Sequence, residues 1–173
     1  IWWQVEGQDD LQRVDEGNPL PVRLFPAVNK TVRIGPITIP GIGTAAPYAA
    51  GDAFGAMFVM PAPISGVIHA ATFVDKDNEG IETDLVLFNK PFTGTADNDA
   101  FTVSDADMEN CIGTITFATF KNFAVNKMST AGAMGLAYIA PDRTIYIQAV
   151  TRGAPNIAAG AFPMVSLVIL SDE

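Results

Sequence analysis

One cysteine and one histidine are all that this chain of 173 residues holds of the side chains most used in thiol and zinc chemistry. With Cys111 alone no intrachain disulfide can form, which excludes a secreted disulfide scaffold. A zinc site wants several Cys or His ligands, and one of each is too few. His69 is the only imidazole available as a base for Cys111 or for any serine, and it falls in the run Val67-Ile-His-Ala-Ala71, where a half-buried strand position explains it. Cations are scarce too: ten Lys and Arg face nineteen Asp and Glu, for a net charge of −9 and a pI near 4.4. Nucleic acid is therefore not an expected partner, because its affinity comes mainly from Lys and Arg on phosphates. Phosphate-cradling glycine loops are absent, since Gly41-Ile-Gly43 has no further Gly or Lys at the required spacing. No apolar run approaches the roughly 18 residues of a membrane span, and Ile1-Trp-Trp3 is followed by Glu6, Asp9 and Asp10, which argues against a signal peptide. The expectation is a protein with no catalytic residue, no metal, no cofactor, no nucleic acid and no membrane partner.

What the chain does have is turns and short apolar runs. Fifteen glycines and twelve prolines punctuate it, and β-branched and aromatic residues recur between them, which points to an all-β fold with one core. Residues 1–47 differ from the rest. They contain five prolines before Pro47, with Gly17-Asn-Pro-Leu-Pro-Val22 and Phe25-Pro26 breaking any regular element, and they read as an extended, proline-rich N-terminal arm. Trp2, Trp3, Leu24 and Phe25 are its candidate partner-binding anchors, because large aromatic and aliphatic groups dominate interface energies. Within the arm, Thr31-Val-Arg-Ile34 and Ile37-Thr-Ile39 fit one interrupted strand. Residues 48–173 read as an antiparallel β-sandwich domain of jelly-roll type. Its strands are expected over 53–59, 67–74, 81–88, 112–117, 136–139, 144–150 and 164–170. Ser104 and Asp107, three apart, predict a helical turn or two over 104–111.

Between Asp75 and Glu109 lie ten of the nineteen acids, opposed only by Lys76 and Lys90. Asp75, Asp77, Glu79 and Gly80 occupy the first, third, fifth and sixth positions of an EF-hand-like calcium loop, but the twelfth is Val86 where a bidentate glutamate is needed. The flanks alternate like strands, whereas an EF-hand needs helices. A polar turn with its carboxylates in water is the expectation, and the acidic stretch as a whole reads as a solvated rim of loops.

At Pro47-Tyr-Ala-Ala-Gly-Asp52, Ser65-Gly-Val-Ile68 with Asp75-Lys-Asp77, Asp84-Leu-Val-Leu-Phe88 with Pro91-Phe-Thr93, Asp97-Asn-Asp-Ala-Phe101, Ser104-Asp-Ala-Asp107, Ile112-Gly113 and Tyr146 leading to Val150-Thr-Arg-Gly-Ala-Pro155, the chain resembles small virion structural proteins of tailed bacteriophages, the capsid decoration or cement type. Asn18-Pro-Leu-Pro-Val22 resembles segments of such proteins as well. The resemblance implies a non-enzymatic shell protein on the outer capsid surface, made in the host cytoplasm. It further implies the major capsid protein and neighbouring copies of the chain as partners, with a homotrimer as the oligomer. Ala131-Gly-Ala-Met-Gly-Leu136 and Ala158-Ala-Gly-Ala-Phe162 offer small residues for close contact between subunits. The competing expectation is a ligand- or glycan-binding module of a phage tail or adhesin, with calcium in the Asp75–Asp84 loop.

Overall fold

The computed structural model describes residues 30–43 and 46–173, together with the backbone of 2–4 and 11–13. β1 (Trp2–Gln4) and β2 (Leu11–Arg13) form a two-stranded antiparallel ribbon with Trp2 opposite Arg13. The main body is built from β3 (Lys30–Thr38), β4 (Phe58–Pro61), β5 (Ser65–Asp75), β6 (Thr83–Phe88), β7 (Cys111–Phe117), β8 (Lys121–Asn122), β9 (Lys127–Ala131), β10 (Leu136–Ile139), β11 (Thr144–Thr151) and β12 (Met164–Ser171). One sheet runs β3-β12-β5-β9-β8, with β10 also on β5; the other runs β4-β11-β6-β7. Every pairing is antiparallel. The fold is all-β, and its one described helix is the single turn α1 (Asp105–Met108). Ser104 caps that turn by accepting the Asp107 N–H, as the spacing of the two residues predicts.

Alternation explains the strands. In β5, Ile68, Ala71 and Phe73 are buried, and in β4 Phe58 and Met60 are buried while Val59 and Pro61 are exposed. One apolar cluster draws on both sheets: Ile34, Ile68, Phe73, Leu167 and Ile169 from the first, Leu85, Leu87, Ile115, Phe117 and Ile147 from the second. Burying each such side chain contributes roughly 1.5–3 kcal/mol, which makes this shared core the main source of stability. β6 is buried at all six positions. Its Leu85 and Leu87 face the shared core, while Val86 and Phe88 belong to a second cluster with Phe92 and Val150 on the opposite face. The Phe88 and Phe92 rings stack there with centroids 4.1 Å apart. The β6–β7 connection, carrying Phe92, Phe101 and Val103, thus covers the outer face of the second sheet.

Two sequence expectations change. The strand expected over 53–59 begins only at Phe58; Ala53 makes an isolated bridge to Val150, and Gly55 turns the chain with φ +80°. A Cβ on Gly55 would lie 2.6 Å from the Pro40 carbonyl oxygen, so the packing there demands glycine. Second, the interrupted strand expected inside the arm is continuous β3, which borders β12, and Ile34, Ile39 and Ile42 are buried in the core. The segment from Lys30 onward therefore belongs to the folded body. Pro36 fits because β3 is an edge strand, where a missing N–H leaves no ladder bond unmade.

Candidate interaction surface

The acidic loop after β5 is not a ring of carboxylates turned to water. Asp75 is buried, and its two oxygens accept the N–H groups of Asp77 at 2.8 Å and Gly80 at 2.6 Å. Asp77 accepts the Ala158 N–H at 2.7 Å, Glu79 accepts the Asn156 N–H at 2.9 Å, and Lys127 donates to the Glu79 carbonyl at 2.9 Å. Asp84, also buried, accepts from Arg152 Nε and from the Thr116 hydroxyl, each at 2.6 Å. In this loop the carboxylates expected in water are instead staples that bind it to the 155–160 segment and to β9, whereas Glu82, Asp99, Asp105 and Glu109 are exposed, as a solvated rim requires. Both Asp75 oxygens and one oxygen each of Asp77 and Glu79 already accept backbone N–H groups, which removes them from any calcium shell.

A second acid works the same way. Asp97 accepts the Gly43 N–H at 2.8 Å, the Gly55 N–H at 2.7 Å and the Tyr48 hydroxyl at 2.7 Å, so three separate segments meet on one carboxylate. Burial and the Asp97 carboxylate together push the Tyr48 phenol far up from its ordinary value. Beside it, Gln148 is fully buried and bridges Thr95 and Gly55 through both ends of its amide. Sequence reading missed Asp97 and Gln148 as anchors, because their partners lie 42 to 93 residues away.

His69 is exposed, not half-buried: it occupies the point where the β5–β12 register slips, and its backbone carbonyl accepts the Met134 N–H. Cys111 packs on the second apolar cluster, and burial pushes its thiol up. Of the four expected anchors, Trp2 and Trp3 lie in β1 opposite Arg13 and Gln12, while Leu24 and Phe25 lie outside the described residues. Among the described residues no helix is long and apolar enough to cross a membrane.

Among the described residues, Val59 in β4 and Met108 in α1 are singly exposed, and the other large exposed apolar groups lie at two places on the first sheet. The β8–β9 turn carries Phe123 and Val125, 53% and 75% exposed. That turn is fixed by bonds from the Phe123 N–H to the Asn126 carbonyl and from the Ala124 N–H to the Asn122 side chain. At the other place Ile139, 63% exposed, lines a groove of about 590 Å³ with Val67, Ile112, Tyr138 and Asp172. Ile64, also exposed, sits next to it and accepts the Ala140 N–H. The small-residue runs flagged in the sequence are largely exposed as well, with open space around Gly132, Gly135 and Gly160. No protein-family model matches the chain, and neither a curated protein nor a solved structure matches it.

Proposed function

We propose that this chain is a non-enzymatic structural protein of a phage particle, of the decoration or cement type, which docks as a homotrimer on the major capsid protein at the outer surface of the shell. The residues that resemble decoration proteins carry the reading, and the strand order supports its fold. With β8, β9 and β10 taken as one position in the first sheet, the two sheets run β3-β12-β5-β9 and β4-β11-β6-β7. That order matches an eight-stranded jelly roll, in which the chain crosses repeatedly between two facing sheets. Jelly rolls serve viral shells, and also lectins and cupins, so the architecture alone does not choose a function. The residues that resemble decoration proteins favour the shell, and the staples on Asp75, Asp77 and Glu79 argue against the calcium-dependent lectin-like alternative.

In this reading the segment before Lys30 is the attachment element, with Trp2, Trp3, Leu24 and Phe25 inserted into a neighbouring subunit. Each anchor, fully buried, contributes roughly 1.5–3 kcal/mol, and repetition around the shell multiplies the effect. The test has two parts. Purified particles are assayed by quantitative mass spectrometry and electron cryomicroscopy for copies at lattice symmetry axes. A chain lacking residues 1–28 is then compared with the full chain for melting and for binding to undecorated capsids. The expected result is an intact cooperative melt with binding lost. Particles devoid of the chain, or calcium-dependent binding to a glycan array, would overturn the proposal.

A further inference from the structure

We infer that copies of this chain associate head to tail, the β8–β9 turn of one copy seating in the β10 groove of the next. The inference deepens the oligomer part of the function proposed above and rests on that part alone, not on a capsid. Its first support is the placement of the two apolar patches. β9 pairs with β5 at Ala71–Asp75, and β10 pairs with β5 at Ser65–Ile68, so both border one edge of the same strand but at its opposite ends. The turn projects past the Asp75 end, where Lys127 opposes Asp75 and Asn122 opposes Lys127. β5 has 11 residues, which at about 3.3 Å per residue separates its ends by about 33 Å. The Phe123 and Val125 side chains, held in a short hydrogen-bonded turn, cannot cross that span to reach their own groove. Only another molecule can bring a knob and a groove together.

Chemistry matches across the contact. The knob offers an aromatic and a branched aliphatic group with exposed Lys121 on its stem; the groove offers Ile139, Val67 and Ile112 with exposed Asp172 at its rim. An apolar centre with a complementary charge beside it is the pattern of a specific contact, the charge fixing register and the apolar groups supplying affinity. Two different patches on each copy make the contact heterologous. It closes into a ring if the rotation between copies returns on itself, as a trimer requires, and otherwise grows as a filament.

The full chain is tested by sedimentation velocity, alone and as variants. Wild type is expected to associate, whereas Phe123→Asp and Ile139→Asp each run as monomers at concentrations where wild type is assembled, a weakening of at least tenfold. Both positions are exposed, so the variants should keep the wild-type melting curve. The decisive sample is their equimolar mixture: one variant retains its groove and the other its knob, so the mixture should give a heterodimer that grows no further. Should either variant fail to fold, the charge pair decides instead: Lys121→Glu weakens assembly, and combining it with Asp172→Lys in the same chain restores it. A monomeric wild type, a mixture that stays monomeric while both variants are folded, or charge variants without effect would overturn the contact. A monomeric chain that still decorates capsids would remove this contact and leave the shell reading standing.

Discussion

Replacing Asp97 by alanine should unfasten three segments at once. The carboxylate accepts from Gly43, Gly55 and Tyr48, and a hydrogen bond to a charged group contributes about 1.5–3 kcal/mol. Gly43 is exposed, and water can replace its lost partner. Gly55 and Tyr48 are buried, and after the substitution Tyr48 keeps only a long bond of 3.4 Å to the Gly43 carbonyl. Two stranded buried donors set the cost at about 3–4 kcal/mol. For a chain of this size each kcal/mol lowers the melting temperature by about 2–4 °C, so the expected drop is roughly 6–16 °C. Asp97→Asn provides the control. Its carbonyl can still accept from Tyr48 and Gly55, leaving the amide toward exposed Gly43, so its cost should be about 1 kcal/mol. Urea unfolding followed by circular dichroism measures both. If Asp97→Ala stays within 1 kcal/mol of wild type, or if the asparagine is as damaging as the alanine, the carboxylate is not the junction described.

Gly55→Ala should destabilise by about 2–4 kcal/mol in the same assay, since it combines positive φ with a Cβ driven into Pro40 and Ile39. Tyr138→Phe should be neutral or stabilising by about 1 kcal/mol near pH 7, because the Tyr138 hydroxyl is buried and has no hydrogen-bond partner. Burial, with Asp172 and Glu173 adding to it, pushes that phenol up to about 12, and Tyr48 is raised as well. A raised phenol binds its proton more tightly in the folded state, so its contribution is complete below about pH 10 and is lost as pH climbs through the folded value. Urea midpoints should therefore fall between about pH 10 and 12, and less steeply for Tyr138→Phe; a flat profile would contradict the burial of these rings. EDTA should shift the melting temperature by less than about 2 °C, while Asp75→Ala, which strands the Asp77 and Gly80 N–H groups, should cost about 2–3 kcal/mol.

Legibility in the sequence followed the range of the interaction. β5, β6, β7, β10, β11 and β12 fall within a residue or two of the expected spans, since each carries its own alternation or apolar run between turn residues. The β8–β9 hairpin was hidden because Lys121-Asn-Phe-Ala-Val-Asn-Lys127 puts its apolar residues in the turn and its polar ones in the strands, the reverse of the usual pattern. Nothing in that heptapeptide says that Phe123 points outward, because burial is decided by what the rest of the chain places overhead. The staples were illegible for a related reason. Asp77 and Glu79 bond to Ala158 and Asn156, 81 and 77 residues on, and a run of acids reads the same whether its partner is water or backbone. Only local chemistry such as the Ser104 cap could be read from spacing alone.

β12 follows every other described strand in sequence and yet lies in the interior of its sheet, between β3 and β5. During synthesis the earlier strands must wait with two unpaired edges until residues up to Ser171 have left the ribosome. Until then those edges stay open to other nascent chains, and the first sheet closes by one late insertion. Pairings of such sequence separation close slowly. Stop codons that remove even the second half of β12 should therefore yield aggregates and not a shortened native body.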